Sequence, residues 1–234
     1  MRRDDPQTLI IDADDTLWEN NIYFEQAWDE FLEFLSHSKL SAQDTRAVFD
    51  EIEIANIKIH GYGAKNFARN MAQCYEHLAE RHIQSGDLDK VISFADRILH
   101  QPIEMLDGVE ETLAYLLERN HDLILFTKGH PEEQKLKIDR SPVGPYFRNF
   151  EIVKEKDVAA YQALSRQFAL QPKSSWMVGN SPKSDINPAL EAGLNAVFVP
   201  HVRTWTLENT PLNKPGPDQI LHIAKNFEDL SSFF

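Results

Sequence analysis

Short apolar runs alternate with longer amphipathic stretches along most of the chain. Thr8-Leu9-Ile10-Ile11 is β-branched and apolar and stops at Asp12-Ala13-Asp14-Asp15, as a buried strand running into a polar loop does. Comparable runs recur at Leu123-Ile124-Leu125-Phe126, Phe150-Glu151-Ile152-Val153, Ser175-Trp176-Met177-Val178 and Ala196-Val197-Phe198-Val199. Between them, 109–120, 131–139, 157–169 and 183–192 have the length of helices. Strands alternating with helices predict right-handed βαβ crossovers and a parallel α/β sheet covered on both faces.

Residues 18–102 break that rhythm. From Ile22 to Leu35, Phe24, Ala27, Trp28, Phe31, Phe34 and Leu35 fall at helical spacing. Helical patterns continue through 43–57, 64–84 and 88–99, with breaks at Gly61-Tyr62-Gly63 and Ser85-Gly86. This stretch has no strand pattern, so an all-helical domain, 18–102, is expected inside a sheet domain made of 1–17 and 103–234. The segment 203–218, rich in Pro, Asn and Thr, reads as an irregular connection.

Composition narrows the function classes. At 42% hydrophobic and 26% charged residues the chain is an ordinary globular one. Lys and Arg total 24 against 37 Asp and Glu, a net charge of −13, which argues against nucleic acid or an anionic membrane as partner. A small anionic substrate stays open, because a pocket's local field can oppose the net charge. The single cysteine, Cys74, forms no intramolecular disulfide, and a reducing cytoplasm is the expected location. The start turns acidic at Asp4-Asp5, and Leu9-Ile10-Ile11 is too short for a signal core or a membrane span.

Four polar elements follow apolar strands. Asp12 and Asp14 stand at the carboxyl end of the first, where ligand crevices of open α/β sheets lie. Two close carboxylates need a cation or a shared proton, and such a pair can supply a nucleophile and a general acid/base. Alone, Asp-x-Asp is more often a solvated loop or helix cap. Thr127 follows the second strand, with Lys128 and Gly129 next. A hydroxyl and backbone N–H groups there can hold a phosphoryl oxygen, although a strand end and turn would look the same. Lys154 or Lys156, after the third strand, can offset the acids or sit in solvent. Gly179 to Asp185 follows the fourth: Asn180 and Asp185 offer hard oxygens that suit Mg²⁺, while Ser181 and Pro182 fit a helix start.

Together, Asp12-Ala13-Asp14-Asp15-Thr16-Leu17, Thr127, Lys156 and Gly179-Asn180 through Asp185 resemble the four motifs of the haloacid dehalogenase superfamily. Phe126-Thr127-Lys128-Gly129 and Glu155-Lys156-Asp157 look like its phosphoglycolate-phosphatase-like branch, with a C1 helical cap. The resemblance implies a Rossmann-like core, an inserted helical cap and a Mg²⁺-dependent phosphatase of small phosphate monoesters. It implies Asp12 as nucleophile, Asp14 as general acid/base, and Thr127 and Lys156 on the phosphoryl oxygens. It implies Mg²⁺ held by Asp12, the Asp14 carbonyl and Asp185. Many members carry an aspartate where Asn180 stands, so Asn180 is assigned to the metal directly or through water. Lys128, Gly129 and Tyr62 are expected on the substrate, with Trp18, Glu19 and Lys65 as further readers of the leaving group. A 2-haloacid dehalogenase, a catalytically idle binding protein and a phosphomutase are the alternatives. A dehalogenase has no leaving alkoxide to protonate, so Asp14 favours the phosphatase. The substrate and the oligomeric state, monomer or homodimer, stay open.

Overall fold

A computed structural model describes residues 5–234, and the acidic start read at Asp4 lies outside the described residues. Strand β1 (Thr8–Ile11) is central, with Leu9, Ile10 and Ile11 wholly buried as its continuous apolar run requires. It pairs in parallel with β2 (Asp122–Lys128) on one side and β4 (Ser175–Gly179) on the other. With β3 (Asn149–Val153), β5 (Asn195–Phe198) and β6 (Leu221–Ile223), the order is β3-β2-β1-β4-β5-β6, parallel throughout. The chain leaves β1 for β2 on one side and later returns to β4 on the other, which makes the carboxyl ends of these strands the crevice of the sheet. One face is packed by Leu9, Ile11, Leu113 of α5 (Val109–Glu118), Leu125, Trp176 and Val178, the other by Ile10, Phe126, Tyr161 and Met177.

Two elements of this sheet unit differ from the sequence pattern. Strand β6 is a sixth, edge strand of three residues, half-buried and with Ile223 exposed, so it leaves no apolar run to read. The helix expected over 183–192 is divided into a π-helical turn, Pro182–Ile186, and a short helix, Asn187–Glu191. Ile186 N–H donates to the Ser181 carbonyl (3.1 Å), the longer loop of a π turn. Pro188 has no N–H to return to Ser184, and the Tyr161 hydroxyl donates to that carbonyl instead (2.9 Å).

Residues Ile22–Pro102 form a second compact unit. It holds α1 (Asn21–Leu35, whose first residue stays with the sheet unit), α2 (Ala42–His60), α3 (Ala64–Leu78) and α4 (Asp87–Asp96). Its core gathers Trp28, Phe31, Phe49, Phe67, Met71, Tyr75 and Phe94. Ser41 and Asp44 form a reciprocal capping box on α2. Helix α3 ends at Leu78, short of the 84 read from its pattern. Beyond it, Asp87 accepts from both guanidinium nitrogens of Arg81 (2.8 and 3.1 Å) and from Gln84 N–H (2.8 Å), which fixes a non-helical turn into α4. Trp18 to Asn21 stay with the sheet unit: Trp18 bridges Met105, Glu19 N–H donates to the Glu104 carbonyl (2.9 Å), and Asn20 and Asn21 donate to Asp15. Among the described residues no helix is long and apolar enough to cross a membrane.

Candidate active site

Strand β1 ends in a tight turn in which Thr16 and Leu17 N–H both return to the Ala13 carbonyl (3.2 and 2.8 Å). Asp15 occupies the left-handed region (φ 59°) at its bend, and its N–H donates to the Trp18 carbonyl (2.8 Å). The chain leaves pleated geometry here, so Asp12 and Asp14 are not confined to the alternation of a strand.

Asp12 is 7% exposed and accepts from the Thr16 hydroxyl (3.0 Å) and from Lys156 Nζ (2.5 Å). Lys156 Nζ also donates to Asp185 (2.7 Å), so one buried ammonium joins the two carboxylates. Burial alone would drive the Lys156 proton off, but the charges of Asp12 and Asp185 outweigh it and hold the ammonium above its usual range. Asp185 is pushed up to about 7, first by burial and then by the Asp12 charge, against the pull of Lys156. Lys154 is exposed, so of the two lysines left open by the sequence it is Lys156 that faces the acids.

Asp185 rests on Gly179. A Cβ built on that glycine would lie 2.3 Å from Asp185 Oδ2 and 2.8 Å from its Cβ, so only glycine admits the carboxylate. Ser181 N–H donates to the same oxygen (2.9 Å). Asn180 Oδ1 lies 3.3 Å from the Thr16 hydroxyl and shares that hydroxyl's one hydrogen with Asp12, and the Asn180 amide donates to Thr204 (3.0 Å). Carboxylates of Asp12 and Asp185 with one ammonium between them leave a net negative, oxygen-lined place, and that donor set fits a hard divalent cation.

Asp14 is more open and is held by Trp18 Nε1 (2.8 Å), by Gln134 Nε2 (3.1 Å) and by Lys137 Nζ, 2.6 Å from each oxygen. Gln134 and Lys137 come from α6 (Pro131–Arg140), reached through Gly129, whose φ of 144° suits glycine. Gln134 Nε2 also donates to the Thr127 hydroxyl (2.6 Å) and the Lys128 carbonyl (3.1 Å). Neither Gln134 nor Lys137 follows a strand, so no sequence signal used above points to them.

Lys128 turns to a neighbouring network. Its ammonium donates to Glu208 (2.6 Å) and to the Ser184 hydroxyl (2.8 Å), and Ser181 donates to Glu208 as well (2.6 Å). Burial raises the Glu208 carboxyl, but the Lys128 charge and these hydrogen bonds outweigh it and hold it below its ordinary value. Glu208 and Thr204 lie in the segment read as an irregular connection. Trp18 is 1% exposed in the sheet core, which explains it as packing and as a donor to Asp14. Tyr62 and Lys65 belong to the helical unit, Tyr62 on the turn between α2 and α3.

Asp15, Glu19 and His201 offer three potential ligand atoms within 4.8 Å of one another. His201 Nδ1, however, accepts from Arg203 N–H (3.3 Å), so a neutral ring carries its proton on Nε2, facing Glu19 (3.6 Å). That nitrogen then has no lone pair for a cation, and Arg203 supplies a counter-charge to Glu19 (3.5 Å).

Comparison with known proteins follows the same lines. The sequence pattern of the haloacid dehalogenase-like hydrolases matches residues 6–193. A haloacid dehalogenase-like family hydrolase from Xanthomonas campestris superposes with a TM-score of 0.81 at 28% identity, over 99% of this chain and 92% of that one. A predicted phosphoglycolate phosphatase from Haemophilus somnus (TM-score 0.64, 18% identity, 97% of each chain) shares the fold. So does a 2-haloacid dehalogenase from Pseudomonas syringae (TM-score 0.60, 17% identity, 97% of each chain). The pyrimidine 5'-nucleotidase PynA of Streptococcus pneumoniae is 28% identical over 110 residues, 44% of this chain and 46% of that protein. The match therefore spans about half the length of that curated relative.

Proposed function

The chain belongs to the haloacid dehalogenase-like hydrolases, and from that premise we propose that it is a Mg²⁺-dependent phosphatase of small phosphate monoesters, acting through an aspartyl-phosphate. The observation that carries the reading is Asp14, two residues beyond Asp12 and gripped by Trp18, Gln134 and Lys137. Carbon–halogen cleavage has no leaving alkoxide to protonate and gives such a group nothing to do.

In the first step an Asp12 carboxylate oxygen attacks phosphorus, the ester P–O bond breaks, and the leaving oxygen takes the proton of Asp14. In the second, Asp14 takes a proton from water, whose oxygen attacks phosphorus and breaks the bond to Asp12. Phosphate leaves, and Asp14 is protonated again. Thr127 and Lys156 hold phosphoryl oxygens as charge redistributes. Magnesium, when bound, would neutralise the carboxylates and the phosphoryl oxygens, and Asp12, the Asp14 carbonyl, Asp185 and Asn180 are the residues to hold it. The helical unit is read as a cap that excludes water and reads the leaving group, with Tyr62 and Lys65 as its candidate contacts.

A panel of phosphate monoesters assayed for released phosphate, beside 2-haloacids assayed for halide, tests the reading. Pyrimidine nucleoside 5'-monophosphates and phosphoglycolate belong in the panel because of the relatives above. Phosphate release without halide is expected, and Asp12→Asn abolishes it while the circular dichroism spectrum is kept. Halide release, or full phosphatase activity in Asp12→Asn, overturns it.

A further inference from the structure

Gln134 sits 3% exposed between two groups with different duties in the proposed reaction. Its side-chain nitrogen reaches Thr127 Oγ1 (2.6 Å), Asp14 Oδ2 (3.1 Å) and the Lys128 carbonyl (3.1 Å). The Asp14 carboxylate and a backbone carbonyl only accept, which fixes the amide with its NH₂ toward all three; its two hydrogens are shared among these contacts, and an amide nitrogen accepts from none. Thr127 must therefore accept at that contact. A hydroxyl has one hydrogen, so the hydrogen of Thr127 is left to point elsewhere, and the crevice at the strand ends is where a phosphoryl oxygen would take it.

We propose that Gln134 is a positioning residue that uses one amide group to orient the Thr127 hydroxyl toward the phosphoryl group and to aim Asp14 at the leaving oxygen. The proposal rests on the phosphatase reading above. Gly129 is part of the device: a Cβ there would come within 3.1 Å of Gln134 Cγ, and a bare backbone lets the side chain pass. Lys137, one helical turn further along α6, grips Asp14 from the same helix through both oxygens, so α6 holds the acid/base at two points. The amide adds what a lone ammonium cannot supply, a fixed direction shared with Thr127. A carboxylate in place of the amide would reverse both effects, taking the Thr127 hydrogen for itself and repelling Asp14.

Leaving-group chemistry separates this role from simple packing. p-Nitrophenolate departs without a proton, whereas an alkoxide needs the one Asp14 carries. Gln134→Met keeps the length and volume of the side chain without the donor, and Gln134→Glu keeps the shape with reversed polarity. In Gln134→Met, kcat/KM is expected to fall about tenfold on p-nitrophenyl phosphate, through Thr127, and about a hundredfold on the best alkyl phosphate, through Thr127 and Asp14 together. Binding of inorganic phosphate, followed by calorimetry, is expected to weaken about tenfold, a readout that needs no turnover. Gln134→Glu is expected to be worse than Gln134→Met on every measure, with melting temperatures reporting that both variants fold. Equal losses on the two esters with phosphate affinity unchanged would overturn the proposal, as would a Gln134→Glu enzyme as active as wild type. A wild-type protein that releases no phosphate from either ester would instead remove the phosphatase reading itself, and the proposal with it.

Discussion

Gly179→Ala tests how tightly the acidic centre is built. The added Cβ would stand 2.3 Å from Asp185 Oδ2, 2.5 Å from Cγ and 2.8 Å from Cβ. Rotating the carboxylate away does not relieve the last of these contacts, so the backbone of the π turn has to move. Asp185 is 1% exposed and has no solvent to swing into. Displacing it breaks the hydrogen bonds from Lys156 (2.7 Å) and from Ser181 N–H (2.9 Å). Hydrogen bonds to charged groups contribute roughly 1.5–3 kcal/mol each, so a loss of about 3–6 kcal/mol is expected. For a chain of this size that lowers the melting temperature by roughly 6–24 °C. Thermal unfolding followed by circular dichroism measures it, in the wild type and in an Asp185→Gly background. Without the Asp185 side chain the alanine has little to meet, so the penalty should shrink to a fraction of its value in a double-mutant cycle. An unchanged melting temperature in Gly179→Ala, or the same penalty in both backgrounds, would refute the reasoning.

Two further outcomes follow, one from the helical unit and one from the acidic centre. Glu53, in the helical unit, is pushed up to about 7, first by burial and then by the charge of Asp50, with Arg46 and Asn70 opposing, and its Oε2 is buried without a hydrogen-bond partner. The unfolded chain loses this proton near 4.5 while the folded one keeps it to about 7, so stability falls as pH rises through that window, by about 3 kcal/mol. Glu53→Gln should remove that fall, seen as a smaller drop in melting temperature from pH 4.5 to 8. Asp15 and Asp185, each raised to about 7 first by its own burial, are common to both proteins and cancel; parallel curves would sink the idea. Chelation by EDTA should abolish phosphate release and added Mg²⁺ restore it, and turnover that survives exhaustive chelation would contradict the proposed role of Asp12 and Asp185.

The sheet was legible because buried parallel strands are continuous apolar runs, and the four chemical elements lie at or just beyond the carboxyl ends of such strands, Thr127 inside β2 rather than after it. Lys156 could be preferred to Lys154 only by resemblance, and burial now separates them: one is enclosed between two carboxylates, the other exposed. Gln134 and Lys137 were illegible for a different reason. They lie on a helix whose polar face looks like any solvated surface, and their meaning depends on Gly129 turning that helix back over Asp14. Glu208 and Thr204 were hidden in a segment with no periodicity at all. The break in the helix over 183–192 had a visible cause in Pro188, but what makes it tolerable is the hydroxyl of Tyr161, which belongs to another helix and is invisible to any local pattern.

The place of β1 in the sheet also orders events as the chain is made. Thr8 pairs with Asp122 on one side and with Ser175 on the other, so β1 waits for more than a hundred further residues before its ladder can close on either side. The helical unit, Ile22–Pro102, is one unbroken stretch of chain with its own core, all of it made before β2. Local contacts form fast and distant strand pairing is slow, so the inserted helices fold first and the strand that carries Asp12 stays unpaired meanwhile. During that interval Leu9, Ile10 and Ile11 are an apolar segment of high β-propensity without a ladder, and a chain stalled before β2 is made would present it to other chains.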